Sequence, residues 1–122
     1  MSPLTDITTK EQVDELVVRF YDRLLADEGI ADHFRHLDLH EHLPRIAAFW
    51  NMVLFGDLDY RGDMMGTHKR HHQQRPMTDE HFRIWLGHFN AALDERYAGP
   101  NAEMMKERAV LVAASLKVKV GS

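Results

Sequence analysis

The hydrophobic positions of the chain repeat with the period of a helix. From residue 13 to residue 25 they recur every three or four positions, and Gly29 interrupts the pattern before a short helical turn through Ile30 and Phe34. Thr9 with Gln12 three residues later matches a capping box at the start of this first helix. Its apolar face carries Val13, Leu16, Val17, Phe20, Tyr21, Leu24 and Leu25.

A second helix is predicted from about Glu41 to Gly56, after a polar connection over residues 35–40. Pro44 is compatible with a helix here if it lies in the first turn, where a backbone N–H has no helical partner. Gly56 is a typical stop. The apolar face of this helix carries Leu43, Ile46, Phe49, Trp50, Val53 and Leu54.

The second half of the chain continues the helical pattern. Residues 57–63 are irregular, a short helix follows from about Met64 to His72, and a polar loop ends at Pro76. Thr78 is a candidate cap for a third long helix, and Asn101 for a last one after Gly99 and Pro100. The third helix has its apolar face at Phe82, Trp85, Leu86, Phe89 and Leu93, and the last at Met104, Met105, Ala109, Val112 and Leu116. Since no segment alternates with period two, the sequence predicts an all-α fold.

Composition narrows the classes of function. The 122 residues, 44% of them hydrophobic, suit one compact domain over 1–122. The net charge of −4 and the scattered basic residues argue against a nucleic-acid or membrane-surface partner. No cysteine is present, so a transition metal would depend on histidine, carboxylate, tyrosine or methionine. No apolar run approaches the ~20 residues that cross a bilayer, so we expect a cytoplasmic protein.

Three aromatic or histidine side chains are candidates for a site. Tyr21 lies on an apolar helical face, where a buried hydroxyl needs a hydrogen-bond partner, although an ordinary core tyrosine fits the same spacing. His42 opens the second helix, where it either helps to cap that helix or overhangs a pocket. Trp85 by itself is an ordinary core position.

The remaining histidines divide into a cluster and scattered positions. His68 and His72 are four residues apart and share a helical face, so with His71 they are candidates to hold zinc, nickel or a haem iron. The HExxH pattern is absent, which argues against a hydrolytic zinc site. Five others are predicted to be solvated, namely His33, His36, His40, His81 and His88.

Four short runs occur in one order along the chain. They are Phe20-Tyr21, His42-Leu43-Pro44 leading to Phe49-Trp50, Tyr60-Arg61-Gly62-Asp63 leading to His68, and His81-Phe82-Arg83-Ile84-Trp85-Leu86. At these separations they resemble the truncated haemoglobins, specifically group III, over nearly the whole chain. The resemblance implies a shortened globin fold, a two-over-two helical sandwich around haem b (iron protoporphyrin IX).

The resemblance also implies the proximal iron ligand. This is the histidine six residues after Gly62, which is His68. The family usually has proline where this chain has Met64, and counting back from Trp85 would point to His71 or His72 instead. We prefer His68 because the upstream match needs no gap and loops absorb insertions more easily than helices. His72 is the second choice, and beside His68 it is placed to approach a haem propionate.

On the opposite side of the haem, the resemblance implies three polar groups. Tyr21 corresponds to the distal tyrosine that donates a hydrogen bond to the ligand, Trp85 to a tryptophan of the same network, and His42 to a gate or second polar group. The residues implied as apolar wall of the pocket are Phe34, Ile46, Phe49, Trp50, Phe82 and Phe89.

These roles predict a protein that binds dioxygen, carbon monoxide, nitric oxide or peroxide. Hydrogen bonds of about 1–3 kcal/mol each to a charged acceptor imply slow ligand release, so peroxidase or nitric-oxide-detoxifying chemistry with an unidentified reductase is expected rather than simple storage. The protein is expected to be a monomer or weak dimer. The alternative from another class is a haem-free helical interaction or regulatory domain in which His68 and His72 bind metal incidentally.

Overall fold

The computed structural model describes residues 4–35, 37–57 and 78–121, with side chains as far as Ala114. These ranges contain four α-helices, α1 (Lys10–Ala26), α2 (Leu39–Phe55), α3 (Asp79–Asp94) and α4 (Pro100–Gly121), with a 3₁₀ turn over Ala31–His33. The one extended pairing in the described ranges is an isolated parallel bridge between Thr5 and Tyr97. The predicted all-α class is confirmed. The predicted short helix from Met64 to His72 lies outside the described residues.

Helix α1 packs against both α2 and α3, and α3 packs against α4. Their shared core is apolar, and burying each large side chain in it contributes roughly 1.5–3 kcal/mol. Met104 and Met105 were both predicted to face inward; Met105 is fully buried, whereas Met104 is exposed. Among the described residues, no helix is long and apolar enough to cross a membrane. The largest fully buried side chains are Phe89, Ile7, Leu16, Leu24, Ile30, Leu93, Met105, Val13 and Val17.

Helices α1 and α3 both begin with the predicted side-chain caps. The Thr9 hydroxyl accepts from the Gln12 backbone N–H at 3.1 Å, and the Gln12 side chain accepts from the Thr9 N–H at 3.1 Å. The Thr78 hydroxyl accepts from the His81 N–H at 3.2 Å, while His81 Nδ1 accepts from the Thr78 N–H at 3.0 Å. Each box therefore satisfies backbone donors that the first helical turn leaves without partners.

Helix α2 begins at Leu39, two residues before the predicted start. Pro44 is therefore its sixth residue and lies beyond the first turn, contrary to the prediction. Without an N–H, Pro44 cannot donate to the carbonyl of His40, four residues earlier. The helix continues because its buried face, which includes Trp50, packs in the core. It ends as predicted at Gly56, which is left-handed with φ 69°.

The start of helix α4 differs from the prediction, because the Asn101 side chain does not cap it. The Asp6 carboxylate instead accepts hydrogen bonds from the backbone N–H groups of Asn101 and Ala102, both at 2.9 Å. A Cβ on Gly99, the residue before the helix, would lie only 2.6 Å from Asp6 Cγ. Asp6 therefore occupies the place that the side chain of an ordinary N-cap residue would fill.

Candidate functional site in an aromatic pocket

A hydrogen bond joins two of the predicted site residues across the α1–α2 contact. The hydroxyl oxygen of Tyr21 lies 2.8 Å from Nε2 of His42. Tyr21 is 2% exposed in the middle of α1, whereas His42, the fourth residue of α2, is partly buried. The His42 ring thus bonds to a residue of the neighbouring helix.

Both members of this pair are uncharged near neutral pH. Burial raises the pKa of the Tyr21 phenol far above its ordinary value. Burial, and next the nearby positive charge of Arg45, lower the pKa of His42. Two arrangements of the proton are therefore available, since either the Tyr21 O–H donates to a bare Nε2 or a protonated Nε2 donates to the phenolic oxygen.

Aromatic rings make edge contacts with the ring of Tyr21. The ring of Phe34 meets Tyr21 edge-on with 5.7 Å between centroids. Phe20 makes edge contacts with Tyr21 at 5.3 Å, with Trp85 at 5.5 Å and with Phe89 at 5.2 Å. Phe20 therefore connects the Tyr21 side of the pocket to the Trp85 side. Sequence reasoning placed Phe20 on the apolar face without giving it a site role, although its position next to Tyr21 was an available signal.

Three of the predicted pocket residues form a stack that runs from α3 to α2. The ring of Trp85 is stacked on Phe89 at 6.1 Å, and Phe89 is stacked on Trp50 at 5.1 Å. Phe49 meets Trp50 edge-on at 5.2 Å, and Ile46 lies in the same core cluster. Trp85 is only partly buried, so it forms a boundary of this cluster rather than its centre.

Phe82 lies apart from this stack. It forms a second buried cluster with Ala113, and Trp85 and Leu86 pack against both clusters. The predicted ligand His68 and its alternatives His71 and His72 lie outside the described residues. Within the described ranges, the structure therefore leaves Phe82 apart and brings together the other predicted site residues, namely Tyr21, Phe34, His42, Ile46, Phe49, Trp50, Trp85 and Phe89.

The histidines predicted to be solvated behave differently from one another. His40 is exposed, as predicted, and His36 lies outside the described residues. The prediction is wrong for the partly buried His88, whose Nε2 lies 2.7 Å from Asp27 Oδ2; this hydrogen bond is the main cause of the lowered pKa of that carboxyl.

His81 and His33 are partly buried, with 4.4 Å between their ring centroids, and His81 Nδ1 accepts the exposed hydrogen bond of the α3 cap. Within the described ranges, no group of three or more histidine, cysteine or acidic side chains is arranged to hold a metal ion.

The described part of the pocket suits a haem. A flat apolar macrocycle needs an apolar, aromatic wall, and the ligand side of its iron needs polar groups without charge. The neutral Tyr21–His42 pair and the rings of Phe20, Phe34 and Trp85 supply both. Paired helices around such a pocket define a small helical protein of the globin class.

Comparison with known sequences identifies the family. The chain belongs to the bacterial-like globin family, which it matches over residues 5–120. It is 27% identical over 111 residues to a group 3 truncated haemoglobin of Campylobacter jejuni, covering 86% of this chain and 85% of that protein. It is 32% identical over 97 residues to a group 1 truncated haemoglobin of Mycolicibacterium paratuberculosis, covering 80% of this chain and 68% of that protein.

Solved structures show the same fold. The crystal structure of the group III truncated haemoglobin from Campylobacter jejuni aligns with a TM-score of 0.83 at 24% identity, covering 97% of this chain and 95% of that one. THB1 of Chlamydomonas reinhardtii aligns with a TM-score of 0.64 at 24% identity, covering 88% and 86%. The resemblance and the globin fold predicted from the sequence are confirmed. Membership of the family implies haem-based binding of small gaseous ligands such as dioxygen.

Proposed function

We propose that the protein holds haem b through His68 and binds small ligands on the side of the haem that faces Tyr21. His72 is the second choice of iron ligand, and His71 the third. The observation that carries the proposal is the 2.8 Å hydrogen bond between Tyr21 and His42, an uncharged polar pair inside an aromatic wall, in a chain of the globin family.

Haem, when bound, supplies an iron centre that coordinates small diatomic molecules. We propose that the Tyr21 O–H donates a hydrogen bond to the ligand and that the Trp85 indole N–H is a second donor; the contacts of both rings with Phe20 support this proposal. Each such bond stabilises negative charge on the ligand by about 1–3 kcal/mol. The rings of Phe34 and Phe89 help to keep water from the pocket. Together these groups favour slow ligand release.

Slow release favours chemistry on the ligand over oxygen storage. We propose dioxygen, carbon monoxide, nitric oxide and peroxide as ligands, and peroxidase or nitric-oxide-detoxifying activity in which a reductase supplies the electrons. Hydrogen-bond donors aimed at developing negative charge promote both reactions. The protein is proposed to act in the cytoplasm as a monomer or weak dimer.

The first experiment tests the haem and its ligand. The protein is reconstituted with hemin and its Soret absorption is recorded for the wild type and for His68→Ala, His72→Ala and His40→Ala. We expect the band to be lost in His68→Ala only, and His40, exposed on α2, is the matched control. A colourless wild type would refute haem binding, and loss of the band in His72→Ala instead would reassign the ligand.

The second experiment tests the role of Tyr21. Dioxygen release from Tyr21→Phe, measured by stopped flow, should be faster by about 5–150-fold, the equivalent of 1–3 kcal/mol. Tyr97→Phe is the matched control, since the Tyr97 hydroxyl donates to Glu15 at 2.7 Å, outside the pocket. Equal release rates in Tyr21→Phe and Tyr97→Phe would contradict the proposed role.

A further inference from the structure

We propose that Tyr21 and His42 form a relay that moves one proton between a ligand in the pocket and solvent. In this relay Tyr21 contacts the ligand, and His42 is a positioning residue that acts through Tyr21. The inference rests on the proposed function, because the relay needs a ligand beside Tyr21. It goes beyond that function by assigning a route for protons.

The geometry places the two ends of the pair in different surroundings. The Tyr21 side chain is 2% exposed, and in the described part of the chain its hydroxyl has one hydrogen-bond partner, Nε2 of His42 at 2.8 Å. This distance lies within the range over which general acids and bases transfer protons. The His42 ring is only partly buried. One end of the pair is therefore enclosed, and the other approaches the surface.

An imidazole ring suits this position because its two nitrogens act independently. A neutral ring accepts at one nitrogen while it donates at the other, so a proton can enter at Nδ1 as another leaves from Nε2. The Tyr21 hydroxyl has the same property, since its oxygen accepts while its hydrogen is donated. A glutamine or leucine side chain at position 42 could not take up one proton while releasing another.

In the inward direction a proton moves from solvent to the ligand, and no electrons are transferred. The proton of the Tyr21 O–H passes to the ligand, the proton on Nε2 of His42 passes to the Tyr21 oxygen, and a proton from water binds Nδ1. Three bonds to hydrogen break and three form, with one solvent proton taken up for each proton delivered. The ring is left with a bare Nε2, which is the form that accepts a proton when the sequence runs outward.

Burial and, next, a nearby positive charge favour the neutral form of the His42 ring. Tyr21, on α1, is an uncharged partner, and Phe34 beside it carries no titratable group. On α2 itself, Arg45 is the nearby cation, and its guanidinium pairs with Glu41 at 2.7 Å. Burial and the Arg45 charge lower the pKa of His42. The neutral ring that both directions require therefore predominates at pH 7.

A relay and a simple gate differ in which ligands they affect. A histidine that only opens and closes the pocket would change the entry of every ligand alike. A relay changes the binding of those ligands that exchange a proton. Carbon monoxide binds without losing a proton, whereas hydrogen cyanide must lose one to bind as the anion. Comparing these two probes therefore separates the two roles.

The test uses the haem-loaded protein and stopped-flow mixing between pH 5.5 and 8.5. Cyanide association with the ferric form should fall at least about tenfold in His42→Gln, as expected for loss of a proton-transfer group, and lose its solvent isotope effect. Carbon monoxide association with the ferrous form should stay within about twofold. His40→Gln, exposed on the same helix, should change neither rate. Equal slowing of both ligands, or no slowing of cyanide, would overturn the relay.

A second measurement does not need haem. In the haem-free protein labelled with ¹⁵N-histidine, Tyr21→Phe should shift the Nε2 resonance of His42 and leave that of His40 unchanged. An unchanged His42 resonance would overturn the relay, because the hydrogen bond on which it depends would be absent. A wild type without a Soret band would refute the proposed function, whereas normal carbon monoxide binding with unaltered cyanide kinetics would refute the relay alone.

Discussion

Replacing Asp6 with alanine removes the cap of helix α4, which begins 94 residues later in the chain. The Asp6 carboxylate accepts from the backbone N–H groups of Asn101 and Ala102 at 2.9 Å each, and Gly99 offers no side chain to replace it. After the substitution, two donors in the first turn of α4 lose their acceptor. The helix also loses a negative charge near its positive end.

The expected magnitude follows from these two losses. Removing an N-cap side chain costs about 1 kcal/mol and up to about 2. Removing a charge that complements the helix dipole costs roughly 0.3–1 kcal/mol more at a partly exposed site. We therefore expect Asp6→Ala to lower the free energy of unfolding by about 2 kcal/mol. For a chain of this size, that corresponds to a fall in Tm of roughly 6–10 °C.

The assay is urea unfolding followed by far-UV circular dichroism. Variants are compared at equal haem occupancy, because a ligand bound only by the folded state raises apparent stability. Asp22→Ala is the matched control, since Asp22 is exposed on α1 and has no hydrogen bond or ion pair within the described ranges; its effect should stay within about 0.5 kcal/mol. If Asp6→Ala is no less stable than Asp22→Ala, the carboxylate does not cap α4.

Three further changes test other parts of the structure. Gly99→Ala should destabilise the fold by about 2 kcal/mol or more, because its φ of 149° disfavours a side chain and the new Cβ would lie 2.6 Å from Asp6 Cγ; unchanged urea unfolding would contradict this. Tyr97→Phe should lower the free energy of unfolding by about 1 kcal/mol, because it removes the hydroxyl that donates to Glu15. Burial and Glu15 raise the pKa of the Tyr97 phenol to about 12, so the ultraviolet titration of the variant should lack this high-pH phenol. The pKa of His42 is lower in the folded protein than its unfolded value of 6.5. As the pH falls, the unfolded chain therefore binds a proton at His42 before the folded protein does, so the free energy of unfolding decreases as the pH falls from 6.5 to the folded pKa. Relative to wild type, His42→Gln should therefore weaken the pH dependence of unfolding in that window, and identical curves would count against the shift.

Sequence reasoning predicted the helices whose signals are local. Thr9 and Gln12, three residues apart, fix the start of α1, and Thr78 fixes the start of α3 through the residue three places on. The start of α4 could not be predicted in this way, because its cap comes from Asp6, at the other end of the chain. The position of Pro44 in the second turn of α2 could not be predicted either, because the helix accommodates this proline through packing in the core, which the local sequence does not show.

The candidate site shows the same division. Tyr21 and His42 each had two interpretations, because periodicity places a residue on a face without showing what lies opposite. Only the packing of α1 against α2 brings their polar atoms to 2.8 Å. Phe20 was assigned to the apolar face, but its contact with Trp85 joins α1 to α3 and has no counterpart in the spacing.

Polar contacts on both sides of Tyr21 attach α1 to α3. Two residues before Tyr21, the Arg19 guanidinium donates to the backbone carbonyl of Ala92 at 2.9 Å. Six residues after it, Asp27 meets His88 at 2.7 Å. Partly exposed charge pairs contribute about 0–1 kcal/mol each, so the apolar core rather than these contacts accounts for most of the stability.

These polar contacts affect the position of α1 relative to α3 more than they affect stability. A slide of α1 by one residue moves each of its atoms about 1.5 Å along the helix axis, which would change the length or the angle of both the Arg19–Ala92 and the Asp27–His88 hydrogen bonds. Apolar side chains tolerate such a shift better than directional bonds do, because burial depends on area rather than on angle. The hydrogen bond between Tyr21 and His42 needs the same accuracy. The polar contacts between α1 and α3 therefore help to hold the tyrosine where its hydroxyl meets the imidazole.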